Sequence, residues 1–561
     1  MNPSFMLPFS KRWQTPIFFL AILLVILVVN LFKSHDIQAK PTASPLNDTT
    51  AQHARRNSTN KGTRLQDDEK LTNTNFNHQL STLNTTFFSH PPRSMQLKRA
   101  GRVKDAFRHA WKAYRKHAWA KDTINPKSKT SNNNWFGWGI TMVDSLDTLL
   151  LMGLEKEYSE ALAQVKRIDF THSKKPVMVF ETTIRYLGGL LGAYDLSPDP
   201  ILLRQATTLA DKLMFAFNPK SGFPAYTIDF DSKEILPYPW GAFNSVILAE
   251  IGSFQLEFHR LSQLTGNWSY ADAAQKVIDH LDSLSLKTPG LYPLYYDIDS
   301  GTPSQTTVSF GALGDSFYEY LLKRYLLTNK TEEQYHRMYI QSITALQSNL
   351  IHKLNGPNKL TMLGERNSDG SPKRHMDHLA CFVPGMLALS AVTLDRSVDF
   401  EYSQELLFTC NFLYTASPTK LSPDRMTWRR SPSYGNENEF SKDGIEIQSA
   451  VFPLRPETVE SIFYAYRTTG NPIYRDWGWA IFKAIEKHCK VSGGYGQLHN
   501  IMQSTVSAKN VEDSMESFFL AETLKYLYLL FMPPSHLDLK EYVLTTEAHP
   551  LKVSSIKKEG K

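Results

Sequence analysis

The sequence predicts an all-α domain arranged as a toroid of helical hairpins, on three observations. From Val103 onward about fourteen amphipathic runs succeed one another, each marked by its apolar spacing and a stop. Alternate runs are the most apolar: LDTLLLMGL, IRYLGGLLGAYDL, VILAEIGSFQLEF, FYEYLLKRYLL, LACFVPGMLALSAV, SIFYAYRTTG and FFLAETLKYLYLLF. Seven buried helices alternating with seven more polar ones suit hairpins closed in a ring, although an open solenoid uses the same pairing. An acid beside a hydroxyl also recurs at helix openings, at Asp144-Ser145, Glu181-Thr182, Asp315-Ser316 and Glu516-Ser517.

Ahead of the helices the chain changes character twice. Residues 1–15 read as a cytosolic tail, and residues 16–32, PIFFLAILLVILVVNLF, carry no charge over about 17 residues, near the short limit for a membrane anchor. The apolar core is long and the nearest small-residue stretch lies well downstream, which favours a retained anchor over a cleaved signal. Residues 33–95 are polar, lack a sustained apolar period and read as a flexible stem; residues 96–555 form the folded domain. Sequons at Asn47, Asn57, Asn84, Asn267 and Asn329 all follow the anchor, as expected of a lumenal domain on a secretory-pathway membrane. A net charge of +7, without basic runs interleaved with aromatics, leaves nucleic-acid binding unsupported. Of the three cysteines, Cys381 and Cys410 could pair in an oxidising compartment; in cytosol all three would be buried thiols.

The helical runs begin near Ala106, Ser145, Tyr158, Thr182, Pro200, Ser245, Tyr270, Ser316, Glu333, His378, Asp399, Pro456, Pro472 and Ser517. The clearest opening is LRPETVES, residues 454–461. Pro456 suits the first helical position, and Glu457 and Glu460 then stand one turn apart. One acid in a first turn is ordinary helix chemistry, since the partial positive charge there favours it. Parallel inner helices of a ring change that reading, because Asp144, Glu181, Asn244, Asp315, His378, Glu457 and Glu516 would then gather at one end of a central cavity. Asp144 and Asp147 by themselves read as structural. Near the C-terminus Tyr542–Leu544 has strand character and could form half of a hairpin that plugs the ring.

Carboxylates around an aromatic-lined hollow are the ingredients of glycoside hydrolysis, with one acid protonating the leaving oxygen and another carboxylate activating water or attacking carbon. Hard oxygen ligands would also suit calcium. With the blocks WGITMVDSLDTLLLMGL, FETTIRYLGGLLGAYDLS, GDSFYEYLLK, LRPETVESIFYAYR, MESFFLAETLKYLYLLF and TTEAHP in order, the chain from about Arg99 to Pro550 resembles the class I α1,2-mannosidases of glycosyl hydrolase family 47.

That resemblance implies an (α/α)7 barrel with a small C-terminal β-hairpin plug and Ca2+ at its base. The implied activity is inverting removal of terminal α1,2-linked mannose from high-mannose N-glycans, in the Golgi or endoplasmic reticulum. By the same resemblance Glu181, Asp315 and Glu457 are the catalytic acids. Glu457 is cast as the base and Glu181 as the general acid acting through a water, with Asp315 as the rival acid. Arg185, His378, Arg455, Glu460, Phe518 and Glu522 match pocket positions, with Phe518 facing the sugar ring. Thr546 matches the calcium-holding residue, and Glu547 the neighbour that orients bound water. Cys381 and Cys410 match the family's disulfide, leaving Cys489 a lone buried thiol. Leu313 stands where endoplasmic-reticulum-type members resemble one another in having arginine and Golgi-type members in having leucine. Leucine cannot grip a glycan branch as arginine does, so trimming toward a five-mannose form is expected. The competing class is a mannose-recognising quality-control factor with weak or no hydrolysis.

Overall fold

The computed structural model describes residues 92–218, 220–236, 244–429, 438–505 and 507–553. They lie in one compact unit, Asp67–Lys561. The anchor at residues 16–32, nearly all of the stem and the sequons at Asn47, Asn57 and Asn84 fall outside the described residues. Among the described residues no helix is long and apolar enough to cross a membrane.

The fold is mostly helical, and its long helices alternate between two environments. The outer series is α1 (Arg93–His117), α3 (Glu155–Val165), α5 (Pro200–Leu213), α7 (Ser269–Ser283), α9 (Glu333–Asn349), α11 (Ser397–Ala416) and α13 (Ile473–His488). The inner series is α2 (Leu146–Leu151), α4 (Gly188–Leu196), α6 (Gln255–Thr265), α8 (Asp315–Leu327), α10 (Val383–Thr393), α12 (Glu457–Thr469) and α14 (Leu524–Phe531). Each outer helix packs on an inner one. In α5 the buried positions Leu202, Gln205, Ala206, Leu209, Ala210 and Leu213 recur at helical spacing, which leaves the opposite face to water. Every residue of α14 is buried, so its sequence carries no polar stripe.

Contacts between inner helices run in a cycle: α2 touches α4, α4 touches α6, and so on through α8, α10, α12 and α14. The cycle closes where the turn before α14 (Phe519–Thr523) meets α2, while α1 covers α14 from outside. The N-terminal helix is therefore the outer partner of the last inner helix. It begins at Arg93, earlier than the apolar period from Val103 suggested, because its first turns are mostly exposed and polar.

Two departures from an all-α reading follow from the long connections. Among the described residues eight small antiparallel sheets, each of two or three strands, satisfy loop backbone groups between helices. Ser245 opens a short strand, Ser245–Ile247, rather than a helix, and pairs with Tyr295–Asp297. At the C-terminus β1 (Tyr542–Leu544) and β2 (Pro550–Lys552) form an antiparallel hairpin, with β1 against α8 and β2 against α4. The Lys525 ammonium donates to Ala548 O at 2.7 Å and Lys323 to Thr545 O at 3.4 Å, so buried cations from two inner helices hold the hairpin turn. The strand expected at Tyr542–Leu544 is thus one arm of a hairpin whose turn is bound by α8 and α14.

Candidate active site

Side chains from α8 and α12, from the turns that lead into α4, α6, α10 and α14, and from the hairpin turn line a cavity of about 270 Å3. That is just under the roughly 300–1,000 Å3 of drug-sized sites and suits a single sugar ring. Eight carboxylates face it, Glu181, Glu250, Asp315, Glu319, Glu457, Glu460, Glu522 and Glu547, against two arginines, Arg185 and Arg455. Phe180, Ile184, Ile247, Leu313, Leu379, Phe382 and Phe518 provide apolar wall, and Thr546 lies at the hairpin end.

The way the helices start explains the convergence. Asp315 is the first residue of α8 and Glu457 of α12, each aimed inward by a left-handed leucine shortly before it. Leu313 has φ 74° and Leu454 φ 65°, a conformation that branched side chains adopt only when neighbours hold it. The holding contacts are Ala249 N donating to Leu313 O at 2.9 Å and Thr523 Oγ1 donating to Leu454 O at 2.7 Å. Glu181 ends a short helical turn, Val179–Glu181, and runs into a π-helical turn, Thr182–Leu187, that carries Arg185. A second π-helical turn, Phe519–Thr523, follows Phe518 and carries Glu522. Such wide turns recur at functional sites because they rotate a side chain out of regular helical register.

Polar contacts organise the cavity into three clusters. Arg185 donates Nε to Glu181 at 2.7 Å, pairs through Nη1 with Glu547, and lies over the Phe518 ring with its guanidinium carbon 5.7 Å from the centroid. Lys323 pairs with Glu319 and stands 3.6 Å from Glu460, which also accepts from the Tyr526 hydroxyl at 3.2 Å. His378 Nδ1 is 2.7 Å from Glu457 Oε2.

Burial pushes Asp315 up to about 8, with repulsion from Asp377, Glu319 and Glu457 adding to it. Burial likewise raises Glu250 to about 8, with Glu181 adding, and Glu460 to about 8 against the pull of Lys323. Glu522 and Glu547 are held well above the usual carboxylate range, again by burial first and neighbouring carboxylates second.

Glu181, Arg185, Leu313, Asp315, Arg455, Glu457, Glu460, Phe518, Glu522, Thr546 and Glu547 all line the one cavity. His378 does not: it sits behind Glu457, buried between that carboxylate and Tyr414, because Leu379 and Phe382 of the 3-10 turn His378–Phe382 take the cavity side. Asn244 is also absent from the lining. The strand that follows it carries it outward to an exposed hydrogen bond with Asp299. Glu516 stops short as well, and Ser514 donates to it. Asp147 is structural, bound by Lys525 at 2.9 Å and His549 at 2.9 Å; Asp144 joins it through His549 at 3.2 Å and also receives Ser517 Oγ. Glu250 and Glu319 were not expected. Glu319 follows Asp315 by one turn of the same helix, a spacing open to inspection, whereas Glu250 reaches the cavity only through the short helix Leu248–Ile251.

Cys381 and Cys410 form a disulfide with Cα atoms 6.0 Å apart, and Cys489 is a buried free thiol.

The family model for glycosyl hydrolase family 47 matches residues 106–553. The chain belongs to that family. A curated relative, mannosyl-oligosaccharide 1,2-alpha-mannosidase MNS1 of Arabidopsis thaliana, is 42% identical over 471 residues, covering 82% of this chain and 80% of the relative. The endoplasmic reticulum mannosyl-oligosaccharide 1,2-alpha-mannosidase of Homo sapiens is 41% identical, covering 80% of this chain and 63% of its own length. Among solved structures, the alpha-1,2-mannosidase from Trichoderma reesei superposes with a TM-score of 0.75 at 33% identity, covering 82% of this chain and 99% of that one. Within this family-47 site, the oxygen-only donor set and the excess of carboxylates fit a hard cation. Among the described residues no three His, Cys, Asp or Glu side chains converge closely enough to hold a metal directly. Oxygen donors of Thr546 at the hairpin end, among carboxylates that supply negative charge, fit such an ion better than a carboxylate cage.

Proposed function

We propose that this family-47 chain is an inverting, calcium-dependent exo-α1,2-mannosidase that trims terminal α1,2-mannose from high-mannose N-glycans toward the five-mannose form. The observation that carries the reading is a single sugar-sized cavity, with the β1–β2 turn at one end, on which Glu181, Asp315 and Glu457 meet. A hollow stopped at one end accepts chain ends, which makes the enzyme an exo-hydrolase. We read the inner and outer helical cycles as the (α/α)7 barrel of the family, and residues 1–95 as tail, anchor and stem that place the barrel in the lumen of the Golgi or endoplasmic reticulum.

In this reading Glu457 is the base. His378 engages its Oε2, so Oε1 is left to take a proton from the attacking water. Inversion follows because that water, rather than the carboxylate, occupies the position next to the anomeric carbon. The leaving oxygen belongs to the part of the glycan that stays outside, so its proton donor must lie toward solvent. Glu181, with a side chain 27% exposed, meets that need, and we read it as delivering the proton through a water. A second reading makes Asp315 the acid, favoured by its carboxyl being raised to about 8 and hence neutral at working pH. Phe518 presents an apolar face to the sugar, and Arg455 lines the wall beside Glu457. Thr546 would hold calcium, with Glu547 orienting water beside it. Calcium would supply a positive charge for sugar hydroxyls.

Leu313 lines the cavity where an arginine would grip one branch, so several α1,2-mannoses are open to attack. Timed digestion of a nine-mannose glycan, with isomers and anomeric configuration read by NMR, tests the proposal. The expected product is β-mannose released stepwise to the five-mannose glycan. Release of α-mannose would refute inversion, and a single eight-mannose product at long times would refute the branch reading. Absence of turnover, with binding retained, would favour the quality-control role instead.

A further inference from the structure

The ring of His378 is buried, with a side chain 2% exposed, and both its nitrogens are engaged. Nδ1 lies 2.7 Å from Glu457 Oε2; Nε2 lies 2.9 Å from the Tyr414 hydroxyl and 3.1 Å from Thr458 Oγ1. An ionised carboxylate can only accept, so Nδ1 must carry the proton toward Glu457. A neutral imidazole then offers only a lone pair at Nε2, and a hydroxyl has to donate to it.

We infer that the Tyr414 hydroxyl is a positioning group for the reaction: by donating to His378 Nε2 it fixes the tautomer that donates Nδ1–H to Glu457. The inference rests on the reading of Glu457 as the base. Of the two hydroxyls, that of Tyr414 is the nearer. Its phenol stays protonated, because burial pushes it above its ordinary range and Glu457 adds to the shift.

The backbone around the pair is tied together covalently. Cys381 follows His378 by one helical turn, Cys410 precedes Tyr414 by one, and the two sulfurs are bonded. Ser461 of α12 bridges to the same segment, accepting from Gly385 N at 2.8 Å and donating to Cys381 O. The 3-10 turn, α11 and α12 therefore hold the three partners as one unit. In the opposite tautomer the Nδ1 lone pair would face Glu457 Oε2. The carboxylate would then have to rotate away or take up a proton, and either change removes the base.

The test uses full-length protein labelled with 15N-histidine, with the His378 signals assigned by their loss in His378→Gln. The unaltered protein is expected to show a protonated Nδ1 and a bare Nε2. Tyr414→Phe is expected to lower kcat about tenfold, and Tyr414→Phe with Thr458→Val about a hundredfold, the low end of the roughly 10²- to 10⁴-fold that a working general base contributes. KM should change by less than about twofold. The double variant should also mix or reverse the nitrogen signature. A bare Nδ1 or a protonated Nε2 in the unaltered protein overturns the inference without any variant, as does full kcat in the double variant. If Glu457→Gln keeps its turnover, the base assignment fails separately, while the nitrogen signature still decides the tautomer.

Discussion

Glu457 touches the cavity with one face and His378 with the other, and this separation makes its removal informative. Glu457→Gln keeps the shape and a hydrogen-bonding oxygen but cannot take a proton. Its kcat is expected to fall by about 10²- to 10⁴-fold while glycan binding, measured by calorimetry, persists. The two candidate acids separate on pH. A general acid works only while protonated, so activity falls as pH rises through its pKa, and removing the group removes that basic limb. If Asp315, whose raised carboxyl favours the protonated form, is the acid, Asp315→Asn abolishes that limb in kcat profiles measured across neutral pH. A limb that survives Asp315→Asn, together with loss of turnover in Glu181→Gln, assigns the role to Glu181.

At the scale of elements, the hairpin and α4 depend on close approach. A Cβ on Gly189 would lie 2.6 Å from Val143 O, a backbone atom with no room to yield. Gly189→Ala is therefore expected to cost about 1–3 kcal/mol in denaturant unfolding. A Cβ on Gly188 would lie 2.7 Å from Cδ2 of His549, the residue that pins β2 between Asp144 and Asp147. Because Thr546 lies in the same hairpin turn, Gly188→Ala should weaken calcium stabilisation, read as a higher calcium concentration for the same rise in melting temperature. Buried charges of both signs meet at this junction. Although burial pushes Asp147 up, Lys525 and His549 pull its carboxyl below its usual range, so the hairpin is locked ionically as well as sterically.

Over the whole molecule, the gathered carboxylates make stability depend on pH and on cation. Asp315, Glu250 and Glu460 titrate near 8 in the folded chain, against roughly 4 when unfolded. Between those values the folded state binds more protons. The stability these groups contribute is thus fully present below about pH 4 and is lost as pH rises through about 8. In chelator the melting temperature is expected to fall between pH 5 and pH 8. Calcium should restore more of it at pH 8 than at pH 5, because a cation favours the ionised carboxylates. An equal calcium shift at both values would contradict an ion held among these groups.

Local patterning alone determined much of this protein. Periodic apolar spacing marks each helix because burial on one face needs it, and acid-hydroxyl pairs at helix openings marked Asp144, Glu181, Asp315 and Glu516 alike, from which only the family blocks singled out Glu181 and Asp315, with Glu457, as the acids. Family blocks supplied Thr546, Glu547 and the cysteine pair, which no periodicity reveals. Tertiary structure decided the rest. Which openings reach the cavity depends on the loop before each helix, so Asn244 and Glu516 turn away while Glu250 enters from a short helix. His378 lies behind Glu457 rather than in the wall, and the turns carrying Arg185 and Glu522 are π-helical. The physical reason is range: helix formation is settled by neighbours a few residues apart, whereas the charge state and aim of a buried carboxylate are set largely by groups far away in the chain, as Glu457 is by His378 and Glu460 by Lys323.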